Sequence, residues 1–93
     1  MSVASVKITS ADTQAVAAGG KVLGVHLEAT GTAGLFSLNE GGTSGAALIE
    51  LGTAAAAGNH YVPVPGGGIN FGTDMHVKLL TNITSVTIFY ENN

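Results

Sequence analysis

Three histidines, His26, His60 and His76, are the side chains of this 93-residue chain best suited to metal binding or acid–base chemistry. No two of them are spaced as a ligand pair within one strand or turn, so a shared site would require convergence in the folded chain. The carboxylates that could complete such a site are Glu28, Glu50 and Asp74. Structural zinc sites normally contain clustered cysteine and histidine, and this chain has no cysteine. We therefore predict no metal site and no cofactor.

The glycine-rich segments do not match a catalytic or nucleotide-binding motif. Ser44, in Gly42-Thr43-Ser44-Gly45, precedes no predicted helix, whereas the serine of a nucleophile elbow stands between a strand and a helix. Neither this segment nor Pro65-Gly66-Gly67-Gly68 is followed by the Gly-Lys-Ser/Thr of a phosphate-binding loop. Glycoside hydrolysis needs paired carboxylates in a groove, and the few aromatic residues are mostly needed in the core. We predict no catalytic residue and a protein that is not an enzyme.

Apolar and polar residues alternate with a period of two along most of the chain, which is typical of strands with one buried face. The inward-facing sets predicted from this alternation are Ala4, Val6 and Ile8; Leu23, Val25 and Leu27; Phe36 and Leu38; Ala47, Ile49 and Leu51; Met75, Val77 and Leu79; and Val86, Ile88 and Tyr90. The same alternation places Val22, His26 and His76 on outward faces. No segment of useful length has the periodicity of a helix.

Turn signals separate these segments at the spacing expected of an all-β domain. They are Ala18-Gly19-Gly20, residues 30–34, residues 39–45, Pro65-Gly66-Gly67-Gly68 and Thr81-Asn82-Ile83. Glycine supplies the positive φ angles, and asparagine the local hydrogen bonds, that tight reversals require. We predict one domain over residues 1–93, an antiparallel β-sandwich or jelly-roll-like fold of about 7–8 short strands. Residues 10–20 form either a loop or a short, loosely paired strand.

Composition restricts the partners that such a domain can have. Charged residues make up 10 % of the chain, against about 25 % in an ordinary soluble domain. Three lysines and a net charge of −3 do not suit nucleic acid, which requires clustered cations. No apolar run approaches the ~20 residues that span a bilayer, and the start of the chain does not have the pattern of a signal peptide. We expect a protein that is kept in the cytoplasm unless an assembly carries it elsewhere.

Stability considerations favour association with other protein. A domain of this length buries only roughly 60–65 % of the surface of its unfolded chain, so its core is near the minimum for folding alone. Small domains usually gain further stability from disulfides, metals or subunit contacts. Pro63 adds a local indication, because proline cannot donate to a ladder and Val62-Pro63-Val64-Pro65 should therefore lie at a sheet edge or a strand end. Such an edge is either a subunit contact or an edge protected by its proline.

The order of these elements resembles that of small glycine-rich β-sandwich proteins among the structural proteins of tailed bacteriophages. The segments that carry the resemblance are Gly20-Lys21-Val22-Leu23-Gly24-Val25, residues 35–45, residues 47–51, residues 61–71 and Ser85-Val86-Thr87-Ile88-Phe89-Tyr90. Together they cover about residues 20–90. The resemblance is to a pattern and not to a catalytic motif, so no functional residue is carried over from it.

The resemblance implies a virion structural protein, most naturally a capsid decoration (cement) subunit that stabilises the head through protein–protein contacts. Its partner would be the major capsid protein or another virion protein, with self-association as a homo-oligomer, a trimer being favoured where a lattice offers three-fold positions. We expect these contacts to be made by residues 2–10, as a contact strand or arm, and by the glycine-rich loops. The specific contact residues are Val3, Val6, Gly42, Thr43, Ser44, Val62, Pro63, Pro65 and Gly67. The alternatives are a tail, neck or fibre-associated virion protein with receptor or glycan contact, and a small ligand- or metal-binding β-module.

Overall fold

The computed structural model of the chain describes residues 3–42 and 45–92. Within these ranges the chain forms nine strands and no helix, and therefore no helix that could cross a membrane. The strands are β1 (Val3–Ile8), β2 (Thr13–Val16), β3 (Gly20–Ala29), β4 (Gly34–Glu40), β5 (Ala46–Thr53), β6 (Gly58–Pro63), β7 (Ile69–Phe71), β8 (Met75–Thr81) and β9 (Ile83–Asn92). The additional element relative to the sequence prediction is β7. For residues 10–20, where a loop or a short, loosely paired strand was left open, the structure has the short strand β2.

The strands form two antiparallel sheets. Sheet A has the order β1-β9-β3-β6. β7 lies on the same side of β3 as β6 and pairs with residues 20–22 of β3. Sheet B has the order β2-β8-β4-β5. When β6 and β7 are taken as one interrupted strand, each sheet has four positions and combines strands from both ends of the chain, which is the arrangement of a jelly roll. The predicted all-β sandwich is confirmed.

The core is a single apolar layer between the sheets. Its largest fully buried side chains include Phe36 from sheet B and Phe71 from sheet A. The other buried apolar side chains are Ile8, Val16, Val22, Val25, Leu27, Ala29, Leu38, Met75, Val77, Ile83, Val86 and Ile88. Most of these residues occupy the inward positions that the period-two alternation predicts.

The alternation prediction is wrong beside three β-bulges. Leu23 has no partner on β9, so Val22 is buried where an outward position was predicted and Leu23 is only partly buried. The pairing with β4 skips Leu48 on β5, which leaves the predicted core residue Ala47 exposed. A bulge in the β4–β8 pairing reverses the faces in the same way, so Leu79 is exposed. Each bulge inserts one residue and thereby shifts every later side chain to the other face.

Two of the predicted turns have the backbone geometry that their residue types indicate. Asn82 has a φ of 55° between β8 and β9, and its side-chain amide donates to the Ala33 carbonyl at 3.1 Å. Gly66, Gly67 and Gly68 all have positive φ angles in the loop between β6 and β7. Asparagine and glycine tolerate this left-handed region better than other residues do.

Gly34 is expected to be far less tolerant of a side chain than Gly31, although both lie at the same turn. A Cβ on Gly34 would lie 2.5 Å from the Thr81 carbonyl oxygen and 2.9 Å from Ile83 Cγ1, whereas a Cβ on Gly31 would have no neighbour within 4 Å. Gly34→Ala should therefore lower the free energy of unfolding by about 1–3 kcal/mol, the usual cost of overpacking. Gly31→Ala is the matched control and should change it by about 0.5 kcal/mol or less. Urea denaturation of the two variants measures the difference, and equal stabilities would contradict the close approach of β4 to the turn before β9.

Candidate functional site

The contact residues predicted from the sequence are distributed over separate parts of the fold. Those within the described ranges are Val3, Val6, Gly42, Val62, Pro63, Pro65 and Gly67; Thr43 and Ser44 lie outside them. The first two belong to β1, while Val62 and Pro63 end β6 at the opposite edge of sheet A. With three strand spacings between these edges, they lie about 14 Å apart. The structure therefore places the N-terminal strand and the proline-rich segment at opposite edges of sheet A, and it confirms that Pro63 stands at an edge and at a strand end.

The glycine turn after β4 is fastened to the loop before β8 by two carboxylates. Asp74 Oδ1 accepts from the Gly41 N–H at 2.7 Å, and Asp74 Oδ2 accepts from Gln14 Nε2 at 3.0 Å. The Glu40 carboxylate accepts from the backbone N–H groups of Gly72 and Thr73. The hydrogen bond from Gly41, and then the one from Gln14, lower the pKa of Asp74 below its ordinary value of 3.8 because both stabilise the charged form. These carboxylates hold two loops together, which is a structural role.

The three histidines do not converge. His26 stands on the outer face of sheet A opposite Tyr61 and Thr87, and His60 is exposed on β6. His76 lies in sheet B, where its Nε2 is 3.0 Å from Asp12 Oδ1. Residues 3–42 and 45–92 contain no group of three or more histidine, aspartate and glutamate side chains that could hold a metal ion.

An aromatic pair, the exposed Tyr61 and the partly buried Phe89, lies on the outer face of sheet A. The rings of Tyr61 and Phe89 meet edge to face with their centroids 5.9 Å apart, and Tyr61 is 57 % exposed. Both belong to strands that flank β3 at Gly24, where a Cβ would lie 2.6 Å from the Tyr61 hydroxyl and 3.1 Å from its ring. The missing side chain at Gly24 therefore lets the tyrosine ring lie against the sheet. We refer to Tyr61, Phe89 and Gly24 as the aromatic patch.

Sequence reasoning missed this patch because it assigned most aromatic residues to the core. The alternation along each strand could have revealed it, because a residue next to an inward-facing one faces outward. Tyr61 is next to the inward-facing Val62, and Phe89 is next to Ile88. In the same way, Leu35 is next to the buried Phe36 on β4, so its exposed position on sheet B follows from the alternation.

Two shallow hollows flank β5, one on each side of sheet B. The first, of about 330 Å³, lies on the outer face and is lined by Leu35, Leu79 and Glu50 among others. The second, of about 200 Å³, opens between the two sheets and includes Leu27 and His60. Leu51 and Gly52 line both hollows. The β5 strand is therefore bordered by incompletely filled space on both faces.

Comparison with protein-family models, with curated proteins and with solved structures gives no match for this chain. Its function is inferred from its own surfaces.

Asp74→Asn should destabilise the fold by about 1 kcal/mol at neutral pH, because charge-assisted hydrogen bonds to Gly41 and Gln14 are weakened at a partly solvated site. A carboxylate whose pKa is lowered by folding adds stability above its unfolded pKa and loses it as the pH falls through the folded value. The loss in the free energy of unfolding of Asp74→Asn relative to the wild type should therefore be complete above about pH 5 and disappear in more acidic solution. Denaturation curves at several pH values measure it. Glu50→Gln, at an exposed strand position, is the control and should have little effect; a pH-independent deficit for Asp74→Asn would contradict the assignment.

Proposed function

We propose that this chain is a virion structural subunit, most naturally of the head decoration (cement) type, that acts through protein–protein contacts. The observation that carries the proposal is that both outer faces of a charge-poor sandwich expose large apolar side chains. Val3 and Tyr61 are 63 % and 57 % exposed on sheet A, and Leu35 and Leu79 are 56 % and 38 % exposed on sheet B. Leu35 and Leu79 line the same hollow on sheet B, and exposed apolar side chains that lie together are typical of protein interaction sites.

The energetics favour covering these faces. Burial of apolar area contributes about 25 cal/mol per Å², so contact with neighbouring subunits would supplement the single core layer. Few charges oppose such contact, since charged residues make up only 10 % of the chain. A surface with so few charged side chains loses little hydration energy when another protein covers it.

Two analogies point in the same direction. The segment order resembles that of small bacteriophage structural proteins, and the jelly roll is a frequent architecture of viral capsid domains. A fold does not by itself define a function, so the analogy supplements the evidence of the surfaces and does not replace it.

The proposal predicts that the chain is a component of assembled particles. Mass spectrometry of purified virions, with heads and tails separated before digestion, should find the chain in the head fraction at a copy number comparable with that of the major capsid protein. Recovery in the tail fraction would favour the tail, neck or fibre assignment. Absence from both fractions would contradict a virion role.

Receptor or glycan contact is the second candidate, and the aromatic patch is the observation that favours it. Tyr61 offers an exposed ring, held by Phe89 and Gly24, and the polar side chains of His26 and Asn59 lie on the adjoining strand positions of the same sheet. An amphipathic ring with one apolar side and a hydroxyl suits a partner that presents both C–H and O–H groups.

If the aromatic patch binds a glycan, Tyr61→Ala should abolish binding of envelope polysaccharide from the host, measured by surface plasmon resonance. Leu35→Ala removes an exposed apolar side chain of sheet B and should leave that binding unchanged. Equal binding by both variants, or none by the wild type, would exclude this candidate.

A further inference from the structure

The two sheets present four edges, formed by β1, β2, β5 and the interrupted strand of β6 and β7, and features that discourage pairing with another chain differ between them. β1 carries the exposed Lys7, β2 has four residues and a bulge, and β6 ends in Pro63. β5 has a bulge at Leu48 and the exposed Glu50, but it is eight residues long, has neither lysine nor proline, and pairs with β4 without interruption over residues 49–53. Among the strands of the described ranges, β5 is therefore the longest edge strand, and its regular stretch is free of proline and lysine.

We propose that β5 pairs in antiparallel fashion with β5 of a second copy of this chain, which joins two copies of sheet B into one continuous sheet. This inference rests on the proposed function, for which it names the self-contact. A strand against this edge would satisfy its unpaired N–H and C=O groups. It would also cover Leu51 and Gly52, which border the hollows on both faces of the sheet.

The register of the pairing follows from the regular stretch of β5 and from the charge of Glu50. Residues 49–53 pair with residues 34–38 without interruption, and the bulge at Leu48 limits the regular stretch on one side. The middle of that stretch is Leu51, and a two-fold axis there sets Glu50 of each copy opposite Gly52 of the other. An axis at Glu50 would instead place two carboxylates directly opposite each other, which is unfavourable.

The symmetry of this contact differs from that of a trimer. Pairing of one edge with the same edge of another copy is isologous and requires a two-fold axis. A trimer would require two different surfaces in a head-to-tail contact. The β5 edge therefore predicts a dimer, with the predicted trimer left to other surfaces.

Gly52 allows the register to be tested with charge alone. A Cβ at this position would lie 3.6 Å from the Gly34 carbonyl oxygen and 4.0 Å from Leu35 Cδ2, which are ordinary contacts, and its φ is not in the left-handed region. Substitutions here should therefore leave the monomer fold intact. In the dimer each new side chain faces Glu50 of the second copy.

Sedimentation equilibrium of the full chain and its variants tests the pairing. Gly52→Glu creates two like-charged pairs and should raise the dimer dissociation constant by about tenfold, while Gly52→Lys creates two opposite-charged pairs and should leave it equal or lower. Adding Glu50→Lys to Gly52→Glu reverses the charge at position 50 and should restore association. Gly31→Glu, at a position with no neighbour within 4 Å of a Cβ, is the control for net charge and should match the wild type.

The possible results distinguish a failure of the β5 pairing from a failure of the proposed virion role. An oligomer whose dissociation constant is the same for Gly52→Glu, Gly52→Lys and the wild type would overturn the β5 pairing. A strictly monomeric chain would also overturn it, and recovery of that monomer from purified particles would leave the virion role standing. A dimer that responds to Gly52 as expected but is absent from particles would support the pairing and contradict the virion role.

Discussion

The contact between the two sheets is the constraint on which the rest of the molecule depends. A chain of 93 residues provides one layer of buried apolar side chains, with Phe36 and Phe71 as its largest members. The remaining large apolar residues must lie on an outer face, at an edge or in a loop, because no second layer exists to receive them. Charged residues are too few to cover those faces. The exposed Tyr61 and Leu35 are therefore consequences of a small core in a charge-poor chain.

Period-two alternation predicted where most strands run, but it could not predict the faces beyond a bulge. The bulged residues of β3 and β5 are both leucines, an ordinary strand residue, so nothing in their type marks an unpaired position. The outward position of Leu79 has the same origin in the pairing of β8. Bulges are set by how neighbouring strands fit together, and that information lies in the partner strand.

The features of the candidate site that depend on one residue could be predicted from the sequence, and those that join distant residues could not. The edge position of Pro63 follows from the missing N–H of that one residue, so the sequence predicted it correctly. The bond between Asp74 and Gly41 joins residues 33 positions apart, and the aromatic patch unites residues of three strands. Such juxtapositions depend on strand order, which alternation and turn signals do not determine.

Strand order also determines which edges are available for the association that we propose. A closed barrel has no edges, whereas a sandwich of two open sheets has four and must protect or use each of them. β6 ends in proline and β2 is short, whereas β5 is eight residues long and, beyond its bulge at Leu48, pairs regularly over residues 49–53 around its single acid, Glu50. If that edge remained bare, its unpaired backbone groups would promote irregular aggregation. The β5 pairing that we propose would resolve this problem with the same sheet geometry that forms the monomer, so that association would continue the folding of sheet B.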